Sequence, residues 1–448
     1  MFEPDINMNK HKHIADNMIE SALRAVDPYY LILDQLKLKN DILKIQNKET
    51  IDLTQFERIF VIGAGKGAAP MALAMEEQLG EKLTAGAINV KYGHGQHLNK
   101  IQLFEAGHPI LDENTIRNTG QILQIADMAG EKDLVIVLIT GGGSALLELL
   151  PEGIGLDDLA KINELLLSSG AAIDEINTIR KHLSLIKGGQ LAKRIAPART
   201  VSLILSDVIG DPLQSIASGP TAPDATTFTQ AVEIVSKYNL TDKAPVKISE
   251  YLKKGINGDI PETPNDQDTV FNSVSNYVIG NNLLALNKLR QVAEDNGYKT
   301  AMLTDRMQGE AKEIARLLAG MIKSGMQSGI PVSTPGCILL GGEPTVTLTG
   351  DGKGGRNQEI ALAILQEMKD IHSEFYFCSL GTDGTDGPTD AAGAWIDENT
   401  INTVAKKDLN IADYLKRNDS YHFFKQIDQL LITGPTRTNV MDLIFCLY

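Results

Sequence analysis

Short apolar runs separated by helical segments occupy the first half of the chain, and this alternation constrains the fold more than any other feature. The runs are residues 59–62, "AGAINV", "LVIVLIT" and "TVSLILSD". Strands that alternate with helices form parallel sheets, so the pattern predicts an α/β fold. Ligands of such sheets bind beyond the carboxyl ends of the strands. The residues directly after each run are therefore the first candidates for function.

The length of 448 residues predicts two domains. A polar stretch rich in Gly and Pro, between about Leu252 and Ser273, is the predicted linker, and a second set of strands and helices follows it. We expect a Rossmann-like parallel sheet in the larger N-terminal domain, residues 1–255, and a second α/β domain in residues 256–448. It stays open whether the helical N-terminal stretch, residues 1–50, packs on the other domain.

The overall charge and the hydrophobic pattern exclude several classes of protein. A net charge of -15 argues against binding to nucleic acid, which requires a basic surface. No apolar run reaches the length of a membrane span, so no membrane association is predicted. The three cysteines form no close pair, which indicates neither a disulfide framework nor a zinc site. A cytoplasmic enzyme is expected.

The first strand ends in "GAGKGAA", where Gly63, Gly65 and Ala68 fit the glycine pattern of dinucleotide-binding turns. The spacing of a P-loop is not met. An acidic residue for the ribose hydroxyls is expected about 20 residues later, at the end of the next strand. That strand ends at Lys91 instead. The pattern therefore predicts an anion-binding turn before a helix, with Lys66 adding a full positive charge.

The strand "LVIVLIT" is followed by a glycine-rich loop. Its residues Gly141, Gly142, Gly143 and Ser144 would supply a series of backbone N–H donors suited to phosphate. An ordinary connection with Ser144 as a helix N-cap is the alternative.

Two aspartates follow the strand "TVSLILSD". Asp207 stands at the strand end, and Asp211 lies across a glycine turn. Carboxylates at this edge suit Mg²⁺, which is usually held by one or two carboxylates together with substrate phosphates. For Asp211, capping of the turn is an equally good interpretation.

The second half of the chain has two further candidate groups. In "GDGKGGRNQE", Arg356 and Asn357 open a helix, and arginine can bind carboxylate or phosphoryl oxygens through two parallel hydrogen bonds. In "GTDGTDGPTD", Asp383 and Asp386 lie in a Gly- and Thr-rich loop after a strand. Their spacing is not that of a calcium loop, and a role in binding a divalent metal or a hydroxyl group fits better.

Together these groups fit phosphoryl transfer, which needs cations to stabilise developing charge and a carboxylate to orient the attacking hydroxyl. No order of Ser, His and Asp indicates acyl chemistry. His108 and His182 are expected to be structural.

The chain resembles the class II glycerate kinases, whose C-terminal half is the MOFRL domain. The matching stretches run over residues 14–443 and include "VIGAGKGAAPMA", "GHP", "LITGGGSALL", "INTIRKHLSLIKGGQLA", "LILSDVIGDPLQSIASGPTAPD", "GGEPTVTLTGDGKGGRNQE", "GTDGTDGPTDAAGAWID" and "TGPTRTNVMDL". The MOFRL region would cover residues 335–446.

The resemblance implies ATP-dependent phosphorylation of D-glycerate with Mg²⁺, typically at the 2-hydroxyl to give 2-phosphoglycerate. It also implies two α/β domains with the active site in the cleft between them. Lys66 and Arg356 match residues regarded as functional in the family. Three positions depart from the family pattern: Gln190 and Arg437 replace Arg and Gly, and Met441 replaces Asn. They put the fine substrate specificity in doubt more than the reaction class.

The predicted site combines these assignments. The catalytic residues are Lys66, Arg356, Asp207 and Asp386. Glycerate would contact Lys66, Arg356, Asn357 and Asp383. Mg²⁺ would bind Asp207 and Asp386. ATP would contact Gly63, Gly65, Gly141, Gly142, Gly143, Ser144 and Asn281.

Several alternatives stay open. One rival enzyme is a hydroxypyruvate reductase that uses NAD(P)H, and another class of protein is a non-catalytic sensor of sugar acids or sugar phosphates. The position of phosphorylation, the individual roles of the charged residues and the formation of a homodimer are not fixed by the sequence.

Overall fold

A computed structural model describes residues 10–46 and 48–448. Within these residues the chain forms α-helices and β-strands that alternate through most of its length. The helices are α1 (Lys10–Ala25), α2 (Pro28–Gln35), α3 (Ala68–Leu79), α4 (Glu113–Met128), α5 (Gly143–Leu146), α6 (Leu156–Ser168), α7 (Ile173–His182), α8 (Gln190–Ile195), α9 (Phe228–Lys237), α10 (Val246–Ile256), α11 (Asn282–Asp295), α12 (Ala311–Ser328), α13 (Arg356–Met368), α14 (Glu398–Lys406), α15 (Ile411–Arg417) and α16 (Ser420–Ile427). None of the helices in the described part of the chain has both the length and the apolar character needed to cross a membrane.

The strands are β1 (Leu36–Lys39), β2 (Ile42–Ile45), β3 (Glu49–Asp52), β4 (Arg58–Ala64), β5 (Leu83–Lys91), β6 (Ile101–Ala106), β7 (Asp133–Ile139), β8 (Arg199–Leu205), β9 (Val274–Gly280), β10 (Lys299–Met307), β11 (Gly336–Gly342), β12 (Tyr376–Gly381), β13 (Gly393–Asp397), β14 (Leu430–Leu431) and β15 (Asp442–Leu447). They form two six-stranded sheets and a small antiparallel sheet of β1, β2 and β3.

The contacts divide the chain into two compact units. The first unit contains residues 28–279, and the second contains residues 280–448 together with the stretch up to Asp27. Helix α1 therefore belongs to the second unit, where it packs against α11.

The stretch with linker-like composition lies inside the first unit, and the units divide after Ile279 rather than after residue 255. Hydrogen bonds explain why this polar stretch stays attached. The Asp224 N–H donates to the Pro264 carbonyl at 2.9 Å, and the Thr263 hydroxyl donates to the Asp224 carboxylate at 3.0 Å. A sequence rich in turn formers thus closes a hydrogen-bonded loop here.

The first unit is built on a sheet with the strand order β6-β5-β4-β7-β8-β9. Its strands β6, β5, β4, β7 and β8 pair in parallel, which confirms the predicted Rossmann-like sheet. All seven residues of β7 are buried, as expected for a central strand covered on both faces. A second apolar core, made by α6, α7, α9 and α10, packs around Phe228 and Ile179.

Two glycines let β4 approach β7 closely. A Cβ atom on Gly63 would lie 2.3 Å from the Leu138 carbonyl oxygen. Gly65 has φ +134°, and a Cβ atom there would lie 2.1 Å from Thr140 Oγ1. Only glycine avoids both conflicts. The glycine pattern at the end of β4 is therefore required by the packing of the neighbouring strand.

The second unit contains a mixed sheet with the order β10-β11-β15-β12-β13-β14. Strands β10 and β11 are parallel, whereas β15 pairs antiparallel with both β11 and β12. Helix α13 is almost entirely buried and packs against α12 and β12. Its middle part, residues 360–365, is apolar and packs in the core, which places its first residue, Arg356, at the edge of that core.

Candidate active site

Two strand ends of the first unit are joined by hydrogen bonds. Ala64 at the end of β4 is in register with Ile139 at the end of β7. Beyond these residues, the Lys66 N–H donates to the Gly141 carbonyl at 2.9 Å, and the Gly67 N–H donates to Thr140 Oγ1 at 2.9 Å. The lysine turn and the glycine loop, which the sequence treated as separate motifs, therefore form one structure.

Charged side chains surround this glycine loop closely. A Cβ atom on Gly141 would lie 2.3 Å from Asp207 Oδ2, and a Cβ atom on Gly142 would lie 2.8 Å from the His108 ring and 3.5 Å from Lys66 Cγ. Gly142 also has φ +84°. The loop is glycine because Asp207, His108 and Lys66 all approach its backbone. The structure thus brings together Lys66, the glycine loop and Asp207, which all follow the carboxyl ends of parallel strands.

Ser144 contacts a strained segment of the same edge. Its hydroxyl lies 2.9 Å from the Ser218 hydroxyl, and a Cβ atom on Gly143 would lie 2.9 Å from the Ala217 Cβ. Ala217 and Ser218 have φ of 50° and 60°, a region that costs energy for residues other than glycine. The helix that begins at Gly143 is only one turn long. The loop is therefore held by packing and hydrogen bonds to its neighbours.

The electrostatic field at this edge is positive. Burial, followed by the charges of Lys66 and Lys91 and by His94, lowers the pKa of His108 to about 4. His108 is therefore neutral at pH 7 beside a cluster of cations in a protein of net charge -15. Such a concentration of positive charge favours the binding of an anion. From its motif "GHP" alone, His108 was expected to be structural.

A cavity of about 130 Å³ opens beside the loop. Its wall includes His108, Gly142, Ser144 and Arg180. A buried ion pair of Lys187 and Glu148 also borders it, and Glu148 accepts a hydrogen bond of 2.5 Å from the Ser184 hydroxyl. The motif "INTIRKHLSLIKGG" thus lines the cavity, although no residue in it was predicted to act at the site.

In the second unit, Arg356 is held by two carboxylates. Its Nε and Nη2 donate to the two oxygens of Asp442 at 2.6 and 3.0 Å, and its Nη1 donates to Glu343 at 2.9 Å. Its side chain is still 32% exposed. Burial raises the pKa of the Asp442 carboxyl to about 7, against the opposing effect of Arg356. The sequence analysis did not identify this partner, which lies at the start of β15.

Asp386 caps the helix that Arg356 opens. Its Oδ1 accepts from the Asn357 N–H at 3.0 Å, and its Oδ2 accepts from the Gln358 N–H at 2.9 Å. A Cβ atom on Gly355 would lie 2.4 Å from Asp386 Oδ1, which explains the glycine there. Burial raises the pKa of Asp386, while these hydrogen bonds oppose the shift. Both oxygens serve the helix N-terminus, so the structure accounts for Asp386 without a metal.

Of the remaining predicted residues of the second unit, Asp383 borders a cavity, whereas Asn357 and Asn281 have structural hydrogen bonds. Asn357 is 1% exposed, and its Oδ1 accepts from the Ser379 hydroxyl at 2.6 Å, so its side chain serves the interior. Asn281 caps α11 by accepting from the Leu284 N–H at 3.0 Å. Asp383 accepts from the Thr385 N–H at 3.0 Å and borders a cavity.

That cavity of about 500 Å³ has a size suited to a small-molecule ligand. Arg356, Asp383, Asp386 and Glu359 line it, with apolar side chains on the wall that include Leu348. The Glu359 carboxylate pairs with Lys312 at 2.9 Å, and burial raises its pKa. Arg356 and Asp383 are thus brought to one cavity, whereas Asn357 is directed away from it.

The two predicted metal ligands lie in different units. Among residues 10–46 and 48–448, no group of three or more His, Cys, Asp and Glu side chains is arranged to hold a metal ion. Mg²⁺ does not require such a group, because it is commonly held by one or two carboxylates and by substrate phosphates. Asp207, half-buried at the strand edge and beside the glycine loop, has the oxygen chemistry that Mg²⁺ prefers.

Two of the three departures from the family pattern have a backbone conformation that is rare for residues other than glycine. Gln190 is the first residue of α8. Arg437 is exposed and keeps φ +65°, and Met441 has φ +68°. Arg437 thus adopts the conformation that glycine favours, at some cost in energy.

The chain is similar to known proteins over nearly its whole length. Residues 14–253 match the family model described as "Domain of unknown function (DUF4147)", and residues 336–442 match the MOFRL family. Glycerate 2-kinase of Pyrococcus horikoshii is 40% identical, covering 97% of each chain. D-glycerate 2-kinase of Thermotoga maritima is 39% identical, covering 99% of each.

A solved structure agrees with these matches. The crystal structure of glycerate kinase from Thermotoga maritima matches with a TM-score of 0.88 and 37% identity, covering 98% of this chain and 100% of that chain.

Proposed function

This chain belongs to the glycerate kinase family with a C-terminal MOFRL domain, and on that premise we propose that it transfers the γ-phosphoryl group of ATP to the 2-hydroxyl of D-glycerate. The products would be 2-phosphoglycerate and ADP. The observation that carries the proposal is the assembly at the strand ends of the first unit. There Lys66, His108 and Asp207 all contact the backbone of one glycine loop.

Lys66 is proposed to neutralise the phosphoryl group during transfer. Its side chain lies against Gly142, as does His108, whose pKa is lowered by burial and by nearby positive charges. Phosphoryl transfer depends mainly on positioning and on cations that stabilise charge on the equatorial oxygens. A lysine side chain beside the glycine loop would meet that requirement, and the residues Gly141–Ser144 would position the phosphates of ATP.

Asp207 is proposed to orient the attacking hydroxyl and to hold Mg²⁺. Its carboxylate lies against Gly141. The next residue, Gly142, contacts His108 and Lys66. Mg²⁺, when bound with ATP, would screen the phosphate charges. Asp386 is a weaker candidate for this role because both of its oxygens cap α13.

Arg356 is proposed to bind an anionic group in the cavity of the second unit. Asp442 and Glu343 fix its guanidinium at the wall of this cavity without burying it completely. Asp383 lies at the same cavity and would accept a hydroxyl group of the ligand. In this proposal residues of both units are required for activity.

The reductase alternative is disfavoured by Lys91. It ends β5, the strand next to β4, where a dinucleotide site would place an acidic residue for the ribose. Lys91 instead adds to the positive field that lowers the pKa of His108. The site therefore favours a phosphate-rich ligand over a nicotinamide cofactor.

A coupled assay of ADP release tests this proposal. Purified protein with ATP, Mg²⁺ and D-glycerate should release ADP, and omission of glycerate should abolish the release. A parallel reaction with hydroxypyruvate and NADH should show no oxidation of NADH. Oxidation of NADH without any release of ADP would overturn the kinase proposal.

A further inference from the structure

Arg180 differs from the other half-buried arginines in the described residues. Arg199 is paired with Glu49 at 2.6 Å, and Arg356 is paired with Asp442 at 2.6 Å. Arg180 has no carboxylate within 4.0 Å in residues 10–46 and 48–448. Burial lowers the pKa of Arg180, and the charge of Glu148 opposes this shift. A charged guanidinium held this way costs free energy unless an anion joins it.

The side chain is oriented by one hydrogen bond. Its Nε donates to Asn163 Oδ1 at 2.8 Å, a contact between the end of α7 and α6. The two terminal nitrogens have no protein acceptor in the described part of the chain. These are the atoms that an arginine uses to bind a carboxylate through two parallel hydrogen bonds.

Arg180 faces the 130 Å³ cavity beside the glycine loop. A water molecule needs about 10–15 Å³ of such space, so the cavity has room for a small ligand but not for a whole nucleotide. The other charges at its wall are balanced, because Lys187 is paired with Glu148, and His108 is neutral at pH 7. The wall therefore carries a net positive charge, because Arg180 and Lys187 share the single carboxylate of Glu148.

We propose that Arg180 binds the carboxylate of the acceptor substrate in this cavity, a role that rests on the proposed kinase function. His108 and Gly142 line this cavity, and they also contact one another beside Lys66. The cavity therefore adjoins the proposed site of phosphoryl transfer. A small hydroxy acid bound this way would have its carboxylate at Arg180 and its hydroxyl groups toward Ser144 and the glycine loop. Arg180 is then the residue that selects an acid over a neutral polyol.

Steady-state kinetics of Arg180→Met test the assignment. The KM for D-glycerate should rise about 10- to 100-fold, the range expected when a hydrogen-bonded charge partner is lost. The KM for ATP should change by less than about threefold. Arg180→Lys, which keeps the charge without the fork, should fall between Arg180→Met and the wild type. Methylguanidinium should partly restore the activity of Arg180→Ala.

The matched control is Arg199→Met, which removes a half-buried arginine of the same unit that is ion-paired and does not line the cavity. It should lower the unfolding temperature and leave the KM for D-glycerate unchanged. Arg180→Met should lower the unfolding temperature less than Arg199→Met, because Arg180 loses one hydrogen bond to Asn163 and no ion pair within 4.0 Å.

The outcomes separate this proposal from the kinase proposal. If the wild type releases no ADP with D-glycerate, the proposed function fails, whatever Arg180 does. If the wild type is active and Arg180→Met raises the KM for ATP instead, the arginine binds nucleotide phosphate and the assignment is overturned. An unchanged KM for D-glycerate, with or without a loss of stability, also overturns it.

Discussion

Lys66 occupies a turn where its ammonium group has no structural task. No ion pair of its side chain exists within the described residues, and its Cγ lies beside Gly142. The backbone of the turn is held independently, by the N–H groups of Lys66 and Gly67. Replacement of the side chain should therefore affect chemistry without affecting the fold.

Lys66→Ala should lower kcat for glycerate phosphorylation by about 100- to 1,000-fold, as expected when a group that stabilises transition-state charge is removed. The assay is ADP release at saturating ATP. Lys132→Ala, which removes an exposed lysine paired with Glu57, is the control and should retain full activity. A loss of less than about threefold in Lys66→Ala would contradict the role given to Lys66.

His108 should titrate far below a normal histidine. The pKa of about 4 in the folded protein is lower than the ordinary value of 6.5, because burial and the nearby cations disfavour the charged ring. The folded state therefore favours neutral His108. Its contribution to stability is complete above pH 6.5 and is lost as the pH falls through about 4.

The titration of His108 is measurable by NMR of histidine labelled at the ring, with His108→Gln to assign the signal. We expect the midpoint to lie near pH 4 in the free protein and to rise when ATP binds, since added negative charge offsets the cations. A midpoint near pH 6.5 in the free protein would show that the ring is solvated and that the positive cluster is absent.

At the scale of single residues, local sequence predicted some positions and missed others. Lys66 and the glycine loop could be proposed because glycine spacing after a strand is a local pattern. His108 was expected to be structural and Arg180 was not singled out, because the environment of each depends on strands and helices distant in the chain. Asp386 was assigned to a metal because the backbone N–H group of Asn357, from which it accepts a hydrogen bond, lies 29 residues earlier in the chain.

Among the elements, the approach of β4 to β7 makes a sharp test of packing. Gly63→Ala would place a Cβ atom 2.3 Å from the Leu138 carbonyl oxygen, so the strands must separate. We expect the free energy of unfolding to fall by about 1–3 kcal/mol, the usual cost of overpacking. Denaturation in urea measures it.

Gly120→Ala is the matched control for this substitution. Gly120 lies inside α4, and a Cβ atom there would meet nothing within 4 Å. Alanine is the better helix former by about 1 kcal/mol, so this variant should be unchanged or more stable. Equal destabilisation by both substitutions would show that the close contact of β4 with β7 is not the cause.

The N-terminus of α13 gives a second test at this scale. Asp386→Ala should lower the free energy of unfolding by about 1–3 kcal/mol, because two backbone N–H groups lose a buried acceptor. Asp386→Asn keeps one acceptor oxygen and should lose less. The Mg²⁺ concentration needed for half-maximal activity should stay the same in Asp386→Asn. A large increase in that concentration would show that Asp386 is a metal ligand after all.

For the whole molecule, the alternation of strands and helices predicted the α/β class and the parallel sheet correctly. The second sheet was less accessible to sequence reasoning. Its strand β15 comes last in the chain, yet it lies between β11 and β12 and pairs antiparallel with both. No local pattern specifies such an insertion, because the pairing joins strands that are far apart in the chain.

The division of the chain shows the same limit. Gly- and Pro-rich composition marked residues 252–273 as a linker, but side-chain and backbone hydrogen bonds fix this stretch to the first unit. Composition indicates that a stretch forms turns, but it does not indicate which residues those turns hydrogen-bond to. The family resemblance, in contrast, depends on many motifs in order, and the matches over 97–99% of the chain agree with it.

The central claim is phosphoryl transfer to the 2-hydroxyl of D-glycerate, and proton-coupled ³¹P NMR of the reaction mixture tests it most directly. A phosphate on the 2-oxygen is coupled to a single proton and gives a doublet, whereas a phosphate on the 3-oxygen is coupled to two protons and gives a triplet. With ATP, Mg²⁺ and D-glycerate, the account predicts a growing doublet that matches the loss of the γ-phosphate signal of ATP. A triplet would contradict the position of transfer, and inorganic phosphate alone, or no new signal, would contradict the claim itself.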